Sequence, residues 1–293
     1  MIPVIFVVLA VILRIVSNPL GNVFQKQLTS RGKNPLQVNF VSYCVLAMIC
    51  LVFAPQVHWP ALPAQFWLYS VAGGMVGAAG NGFLVKAIEK GDLSVLGPVN
   101  AYKAVIGMIV GIFLLGELPT LWGLFGIALI ILGSYFVLDT TEERFSWALL
   151  RRKEIQYRLL AMVLTAIEAV LIKRILLVSS PLIAFISWCW FGALFGFVLM
   201  KLYGLDLLSE ARKINKGDLF LYLFLVLCIG IMQASTNVSL DHIPVGYALA
   251  LFQLSIIISV FLGHRFFGEK DIRKKLIGSL IMMAGSVLII LLK

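Results

Sequence analysis

Long apolar runs alternate with short polar connections from one end of the chain to the other. Ten such runs can be placed, and their bounds follow at the end of this paragraph. Each run has about 20 residues, which is enough to cross roughly 30 Å of hydrocarbon as an α-helix. The pattern predicts an all-α polytopic membrane protein with ten transmembrane helices. The runs are Ile2–Gln25, Pro35–Ala54, Gln65–Ile88, Leu93–Leu115, Leu118–Leu138, Ile155–Val178, Pro181–Leu202, Leu219–Leu240, Val245–Phe267 and Leu276–Leu292.

The first run carries a polar stripe against an apolar back. Arg14, Asn18 and Asn22 follow one another every four residues, which places them on one face of a helix. Ser17 and Gln25 extend the same face. Polar stripes of this kind either line a cavity or hold neighbouring helices together. An arginine at mid-depth favours the cavity wall.

A stretch near the middle of the chain returns near its C-terminus. Gly111–Ser134 and Gly263–Ser286 align without a gap, and two Gly-Glu pairs, Gly116-Glu117 and Gly268-Glu269, coincide in that alignment. Apolar matches would be common in such a chain, but small residues and a carboxylate in one register indicate an internal duplication. The other coinciding glycines are Gly126 with Gly278 and Gly133 with Gly285.

The polar segment 139–154 divides the ten runs into two sets of five. We therefore predict a first repeat at 1–138, a polar cytoplasmic linker at 139–154 and a second repeat at 155–293. Because five is odd, the two repeats enter the membrane with opposite orientations. Inverted repeats of this kind are typical of secondary transporters.

The composition excludes an ordinary soluble domain, since 61% of the residues are hydrophobic and 13% are charged. The net charge of +10 could suggest a nucleic-acid partner, but most of the Lys and Arg residues lie in alternate connections between the runs. There they indicate orientation by the positive-inside rule, which places both termini outside the cytoplasm. The expected partners are a lipid bilayer and a small-molecule substrate, with no nucleic acid, and the expected assembly is a monomer or homodimer.

The sequence offers no pattern typical of an enzyme or of a metal or cofactor site. The four cysteines lie inside apolar runs without CxxC spacing, so we interpret them as small buried hydrophobic residues. No HExxH, P-loop, GxSxG or GxGxxG motif stands in a connection. We expect neither catalysis nor a cofactor.

Three ionisable residues stand near the middle of predicted spans: Arg14, Lys103 and Glu168. In lipid such a group must face the bundle interior or a cavity, so each is a candidate for substrate binding. Lys103 and Arg14 could bind a carboxylate or phosphate. Glu168 could neutralise an amine or exchange a proton, or it could form a structural pair with Arg14 or Lys103.

Polar and aromatic residues inside other spans complete the candidate site. Amides at depth could orient a ligand, and an aromatic ring could line the cavity, although packing is the alternative for each. Glu117 and Glu269 are interpreted differently, as corner residues that cap the helix that follows them. The further candidates are Asn81, Asn100, Gln233, Asn237, Tyr247 and Gln253.

The Gly-Glu pair, followed by a helix with spaced glycines that ends in Gly-Ser, resembles the drug/metabolite transporter superfamily and specifically its ten-span EamA-type members. Both copies in this chain carry the pattern. The resemblance implies a bacterial inner-membrane carrier of small metabolites, with a central cavity between its halves and alternating access.

Two mid-span cations and one anion suggest a zwitterionic solute such as an amino acid. We therefore expect a secondary transporter, working as an exporter, of an amino acid or related zwitterion. Two alternatives remain open at this point. One is a carrier or exchanger of an anionic or phosphorylated solute, and the other is a proton-coupled exporter of cationic drugs.

Overall fold

The structure is a computed structural model that describes residues 4–102, 120–138, 151–207, 214–243 and 245–291. This part of the chain is helical throughout. Eleven α-helices are described, and two short 3-10 helices, Ala54–Gln56 and Trp59–Ala61, join α2 to α3. The α-helices are α1 (Val4–Ser30), α2 (Pro35–Cys50), α3 (Ala64–Lys90), α4 (Leu93–Val99), α5 (Leu121–Leu138), α6 (Lys153–Leu176), α7 (Pro181–Leu202), α8 (Lys216–His242), α9 (Val245–Phe252), α10 (Ser255–Phe267) and α11 (Ile272–Leu291).

The predicted spans agree with these helices except at two places. The ninth span, predicted as continuous, is two helices, because a turn at Gln253 and Leu254 separates α9 from α10. The fourth span, also predicted as continuous, contains α4, which ends at Val99 before a turn at Asn100 and Ala101. The two interruptions occupy nearly equivalent positions of the duplicated sequence. An apolar run does not reveal a two-residue turn, because the residues on both sides stay hydrophobic.

The helix contacts follow the symmetry of an inverted repeat. The first half contains α1 to α5 and the second contains α6 to α11, so that α1 corresponds to α6 and α3 to α8. The extensive contact between α3 and α6 is matched by its symmetry image, the contact between α8 and α1. Helices α2 and α7 pack on each other, as do α5 and α11, and each of these pairs is its own image.

The duplicated glycines form the contact between α5 and α11. A Cβ atom added at Gly133 would lie 2.5 Å from the carbonyl oxygen of Gly278, and one added at Gly285 would lie 2.5 Å from that of Gly126. Each glycine of one copy therefore packs on the other glycine of the second copy. Only glycine permits so close an approach of two backbones, which explains why the register of the repeat is marked by small residues.

The outer surface of the bundle is apolar, as a bilayer requires. Val4 at the start of α1 is 79% exposed and Leu121 at the start of α5 is 84% exposed. By length and composition, α1, α3, α7 and α8 could each cross a membrane, and α2, α5 and α10 are shorter apolar helices. The chain is a multi-pass membrane protein, as the sequence predicted.

One end of the bundle collects the connections that are rich in Lys and Arg, and we call it the basic end. Two ion pairs join the halves there. Lys26 Nζ lies 3.1 Å from Glu269 Oε1, and Lys33 Nζ lies 2.7 Å from Asp218 Oδ2. The Asp218 carboxylate also belongs to a capping box with Asn215 at the start of α8.

Candidate functional site

A cavity lies between the two halves of the molecule. It encloses about 780 Å³ of empty space, counting the part that is open to solvent, and its walls come from α1, α3, α6, α8 and α9 together with the turn after α4. Seven of the residues predicted from the sequence line it. They are Arg14, Asn18, Asn22, Asn81, Asn100, Glu168 and Gln233.

Arg14 reaches this cavity from the middle of α1. Its Cζ atom lies 4.9 Å from the centre of the Phe252 ring, at the end of α9. The Nε and Nη1 atoms are buried, and neither has a hydrogen-bond acceptor among the residues that the structure describes. A buried donor without an acceptor is costly, so the guanidinium is equipped to bind an anionic group from a ligand.

Glu168 reaches the cavity from α6, the counterpart of α1 in the second half. The indole Nε1 of Trp188 donates a hydrogen bond of 2.7 Å to Glu168 Oε1. The carboxylate packs directly over Gly77 of α3, where a Cβ atom would collide with it. The glycine at this position of α3 therefore leaves room for the acid in its present conformation.

Arg158 lines the cavity and was missed by the sequence analysis. It is 9% exposed, and its Nε donates a 2.9 Å hydrogen bond to the carbonyl oxygen of Leu96 in α4. Arg158 lies near the start of α6, shortly after the polar linker. Its charge was therefore counted with the positive charges of the cytoplasmic connection. Its position inside the predicted span, beginning at Ile155, was the available signal.

Two predicted residues stand behind the cavity wall rather than in it. Asn237 is fully buried, accepts a 2.9 Å hydrogen bond from Gln233 Nε2, and donates one of 3.2 Å to the carbonyl oxygen of Pro181. It thus orients Gln233. Gln253 lies in the turn between α9 and α10 and is 3% exposed, and its buried Oε1 atom has no donor within the described ranges.

Two other predictions fall outside the residues whose side chains the structure describes. Lys103 lies in the segment 103–119, beyond the described part of the chain. Tyr247 lies in α9, but its side chain is outside the description.

A second, narrower cavity adjoins the first on the side of α2, with about 430 Å³ of empty space when the part that is open to solvent is counted. The two share walls formed by Asn18, Asn22, Asn81, Leu84 and Met232. Asn81 Nδ2 donates a 2.9 Å hydrogen bond to the hydroxyl of Tyr43, whose ring centre lies 4.6 Å from that of Trp188. The remaining walls of the second cavity are Ser17, Gly21, Gln25, Asn39, Ser42, Tyr43, Trp188 and Ile229.

Glu269 at the basic end caps a helix, but not the helix that the sequence predicted. Its carboxylate accepts hydrogen bonds from the backbone N–H groups of Leu93 at 2.9 Å and Ser94 at 2.8 Å, at the start of α4 in the other half. The Ser94 hydroxyl donates to the same carboxylate. The prediction that Glu269 caps the following helix is therefore wrong, because packing between the halves brings α4 within its reach.

The Gly-Glu motif explains how this carboxylate turns back. Gly268 ends α10 with φ of 64°, a left-handed conformation that glycine adopts without strain. Five residues earlier, a Cβ atom at Gly263 would collide with the Glu269 carboxylate. Gly268 thus allows the chain to turn, and Gly263 leaves space for the Glu269 carboxylate. Glu117, its counterpart in the first copy, lies outside the described residues.

Inverted halves, interrupted helices and a charged cavity between them define a membrane carrier. The chain belongs to the EamA-like transporter family, whose model matches residues 3–139 and 152–291. The resemblance noted in the sequence is confirmed, and with it the assignment to a family of transporters rather than enzymes. A solved protein crystal structure is similar over 95% of this chain and 95% of its own, with a TM-score of 0.66 and 14% identity. That likeness concerns the fold alone. None of the curated proteins compared with the chain matches it.

Proposed function

We propose that the protein is a secondary transporter that exports an amino acid or related zwitterion across the bacterial inner membrane by alternating access. The proposal concerns the substrate class, the direction of transport and the membrane. The transporter family itself is established by the match over both halves of the chain.

The opposite charges of Arg14 and Glu168 carry the proposal. They stand on α1 and α6, the first helices of the two halves, and line the same cavity. A zwitterion offers a carboxylate for the guanidinium and an ammonium group for the carboxylate. Both pairings would form hydrogen bonds between charged groups, which are stronger than those between neutral ones. Lys103 is a second proposed partner for the substrate carboxylate.

The cavity also offers neutral groups that could fix the orientation of the ligand. Asn81, Asn100 and Gln233 face it from three different helical segments. Asn100 belongs to the interruption after α4, and Phe252 to the end of α9 beside the equivalent interruption. Interrupted helices at mid-depth present free backbone groups, and substrate sites of secondary transporters commonly use them.

Alternating access requires the halves to separate at each end of the molecule in turn. At the basic end, Lys26 of the first half and Glu269 of the second form a buried ion pair. Opening the cavity toward that end would break this pair. We therefore propose that the pair closes the cytoplasmic side of the cavity, the side that the positive-inside rule assigns to the basic end.

An anionic solute is the second candidate function, and Arg158 favours it. With Arg158 and Arg14, two guanidinium groups line the cavity against the single carboxylate of Glu168. A phosphorylated or dicarboxylic solute would use both guanidinium groups, since their planar donors suit phosphate and carboxylate oxygens. Glu168 would then balance the remaining charge.

Thermal stabilisation of the purified full chain across a panel of metabolites tests the proposal. A ligand that binds the folded state raises the unfolding midpoint by mass action. We expect amino acids to raise the midpoint and Arg14→Gln to abolish the shift, while Arg273→Gln, at an exposed position of the basic end, keeps it. If phosphorylated compounds alone raise the midpoint, the anion carrier replaces the zwitterion carrier. A shift that survives Arg14→Gln would remove Arg14 from the site.

A further inference from the structure

The second cavity suggests which zwitterion is carried. We propose that it takes an uncharged, hydrogen-bonding side chain of the substrate, so that the solute is an amino acid with a carboxamide or hydroxyl side chain. This inference rests on the proposed function, because the charged cavity would hold the amino and carboxylate groups.

The walls of the second cavity are polar but carry no ionisable acid or base among the residues that line it in the described chain, apart from the phenol of Tyr43. Five carboxamides line it. The Nδ2 groups of Asn39 and Asn81 already donate hydrogen bonds within the protein, and the hydroxyl groups of the two serines donate to backbone carbonyl oxygens, so these serines offer acceptors. A side chain with a full negative charge would find no opposite charge among these residues. Burying an unpaired charge is far more costly than burying a neutral amide that is hydrogen-bonded. The five carboxamides are Asn18, Asn22, Gln25, Asn39 and Asn81.

The side-chain oxygen of Gln25 is a hydrogen-bond acceptor on this wall that a ligand could use. The residue is 5% exposed, and its Oε1 atom is buried without a donor in the described part of the chain. Buried polar side-chain atoms usually have a partner, and leaving one without costs free energy. A carboxamide or hydroxyl group of the substrate could donate to this oxygen. An apolar side chain could not, and it would also separate the other amides from water.

The two cavities are arranged as the two ends of one ligand. Asn18 and Asn22, one helical turn apart on α1, belong to both. Trp188 links them as well, because its ring lines the second cavity while its indole N–H donates to Glu168 in the first. A substrate whose ammonium group lies at Glu168 would thus have its side chain beside the aromatic pair of Trp188 and Tyr43.

Three amino acids of similar length separate the possible side-chain chemistries. L-glutamine has a neutral hydrogen-bonding side chain, L-glutamate an anionic one and L-methionine an apolar one. Calorimetry with the purified full chain would measure the dissociation constant of each of these amino acids. A site built to hydrogen-bond its substrate rejects analogues that lack the hydrogen bond. We expect L-glutamine to bind at least roughly tenfold more tightly than the other two.

Gln25→Leu tests the residue, with Gln65→Leu at an exposed position of α3 as the matched control. Leucine removes a buried acceptor that has no partner, so we expect an unfolding midpoint no lower than that of the original chain. L-glutamine should bind roughly fivefold or more weakly to Gln25→Leu and unchanged to Gln65→Leu, with the two other amino acids unaffected. If Gln25→Leu does not fold, Ser42→Ala, on the same wall, provides the same comparison.

The outcomes separate this inference from the proposed function. If all three amino acids bind equally well, the zwitterion site stands and the second cavity does not select the side chain. If L-glutamate or L-methionine binds more tightly than L-glutamine, the inference is wrong and the charged cavity still holds an amino acid. If none of the three binds, the zwitterion carrier and this inference fail together.

Discussion

Glu168 and Glu269 are buried to the same extent but have different surroundings. Each is 7% exposed. Glu269 has Lys26 as a counter-ion and accepts three hydrogen bonds from Leu93 and Ser94. Glu168 accepts a hydrogen bond from the neutral indole of Trp188 and faces an open cavity.

The difference separates an acid that holds the fold from an acid that can serve a ligand. Removing one member of a buried ion pair leaves the other as an uncompensated charge, so the fold depends on Glu269. Glu168 lines the cavity, and an ionisable residue that faces a cavity in a membrane protein is a candidate for binding a solute. Burial alone does not distinguish these roles. The partners of each carboxylate do.

The largest expected effect is on stability, from Glu269→Ala. The substitution removes the nearer of the two carboxylates around Lys26, whose Nζ keeps Asp92 Oδ1 at 3.9 Å. It also leaves the N–H groups of Leu93 and Ser94 without their acceptor. We expect a loss of about 3–5 kcal/mol in the free energy of unfolding. Chemical denaturation of the detergent-solubilised protein, followed by circular dichroism, measures it.

Glu168→Gln is the matched control for that experiment. The amide oxygen can still accept from Trp188 and the side chain keeps its size, so the loss in unfolding free energy should be smaller than that of Glu269→Ala. A loss as large as that of Glu269→Ala would show that both acids are structural, and the contrast between them would be lost.

Alanine substitutions at the two glycines beside these acids test the same comparison with smaller expected effects. A methyl group at Gly263 would collide with the Glu269 carboxylate, and one at Gly77 would collide with that of Glu168. We expect Gly263→Ala to cost about 1–3 kcal/mol of stability, because the displaced acid loses its partners. Gly77→Ala should weaken binding of an amino acid roughly tenfold at nearly unchanged stability, since a flexible acid can turn away.

Thermal midpoints and ligand titrations of the two alanine variants provide the measurement. If Glu168 is the structural acid, the effects expected for the two alanine variants are reversed. In that case Gly77→Ala would unfold at a lower midpoint, and Gly263→Ala would bind ligand less well.

The smallest expected effect is on the pH dependence of stability. Burial alone would raise the pKa of Glu269, but the Lys26 ammonium group and the hydrogen bonds from Ser94 and Leu93 outweigh it and hold the pKa below its usual value. The ionised acid therefore stabilises the fold above the pKa of an unfolded glutamate, about 4.3. This contribution is lost as the pH falls through the lower pKa of the folded state.

Glu269→Gln removes that titration. We expect its unfolding midpoint to fall less than that of the original chain as the pH is lowered below about 4.3. Parallel midpoint curves for the two proteins would contradict the assignment.

The sequence predicted the architecture well because the architecture depends on local composition. Apolar runs, their odd number in each half and the register of small residues are all visible along the chain. The helix Pro181–Leu202 even begins and ends where predicted. The seven predicted residues in the first cavity could be found in the same way, since a polar residue deep in an apolar span must face the interior.

The features that the sequence did not reveal depend on contacts between the halves. The carboxylate of Glu269 caps α4, which lies far from it along the chain. The hydrogen bond between Trp188 and Glu168 joins two helices in the same way. Arg158 escaped notice because its charge resembled those of the neighbouring connection, although it hydrogen-bonds Leu96 inside the bundle.

The glycine contact between α5 and α11 has a consequence for biosynthesis. Helix α5 emerges from the ribosome before the whole second half, and its partner α11 follows only after α6 to α10. Until then, the glycine face of α5 lacks the α11 backbone that covers it in the folded protein. The insertion of α11 therefore adds the last of the helix contacts that join the two halves, after those between α3 and α6 and between α1 and α8.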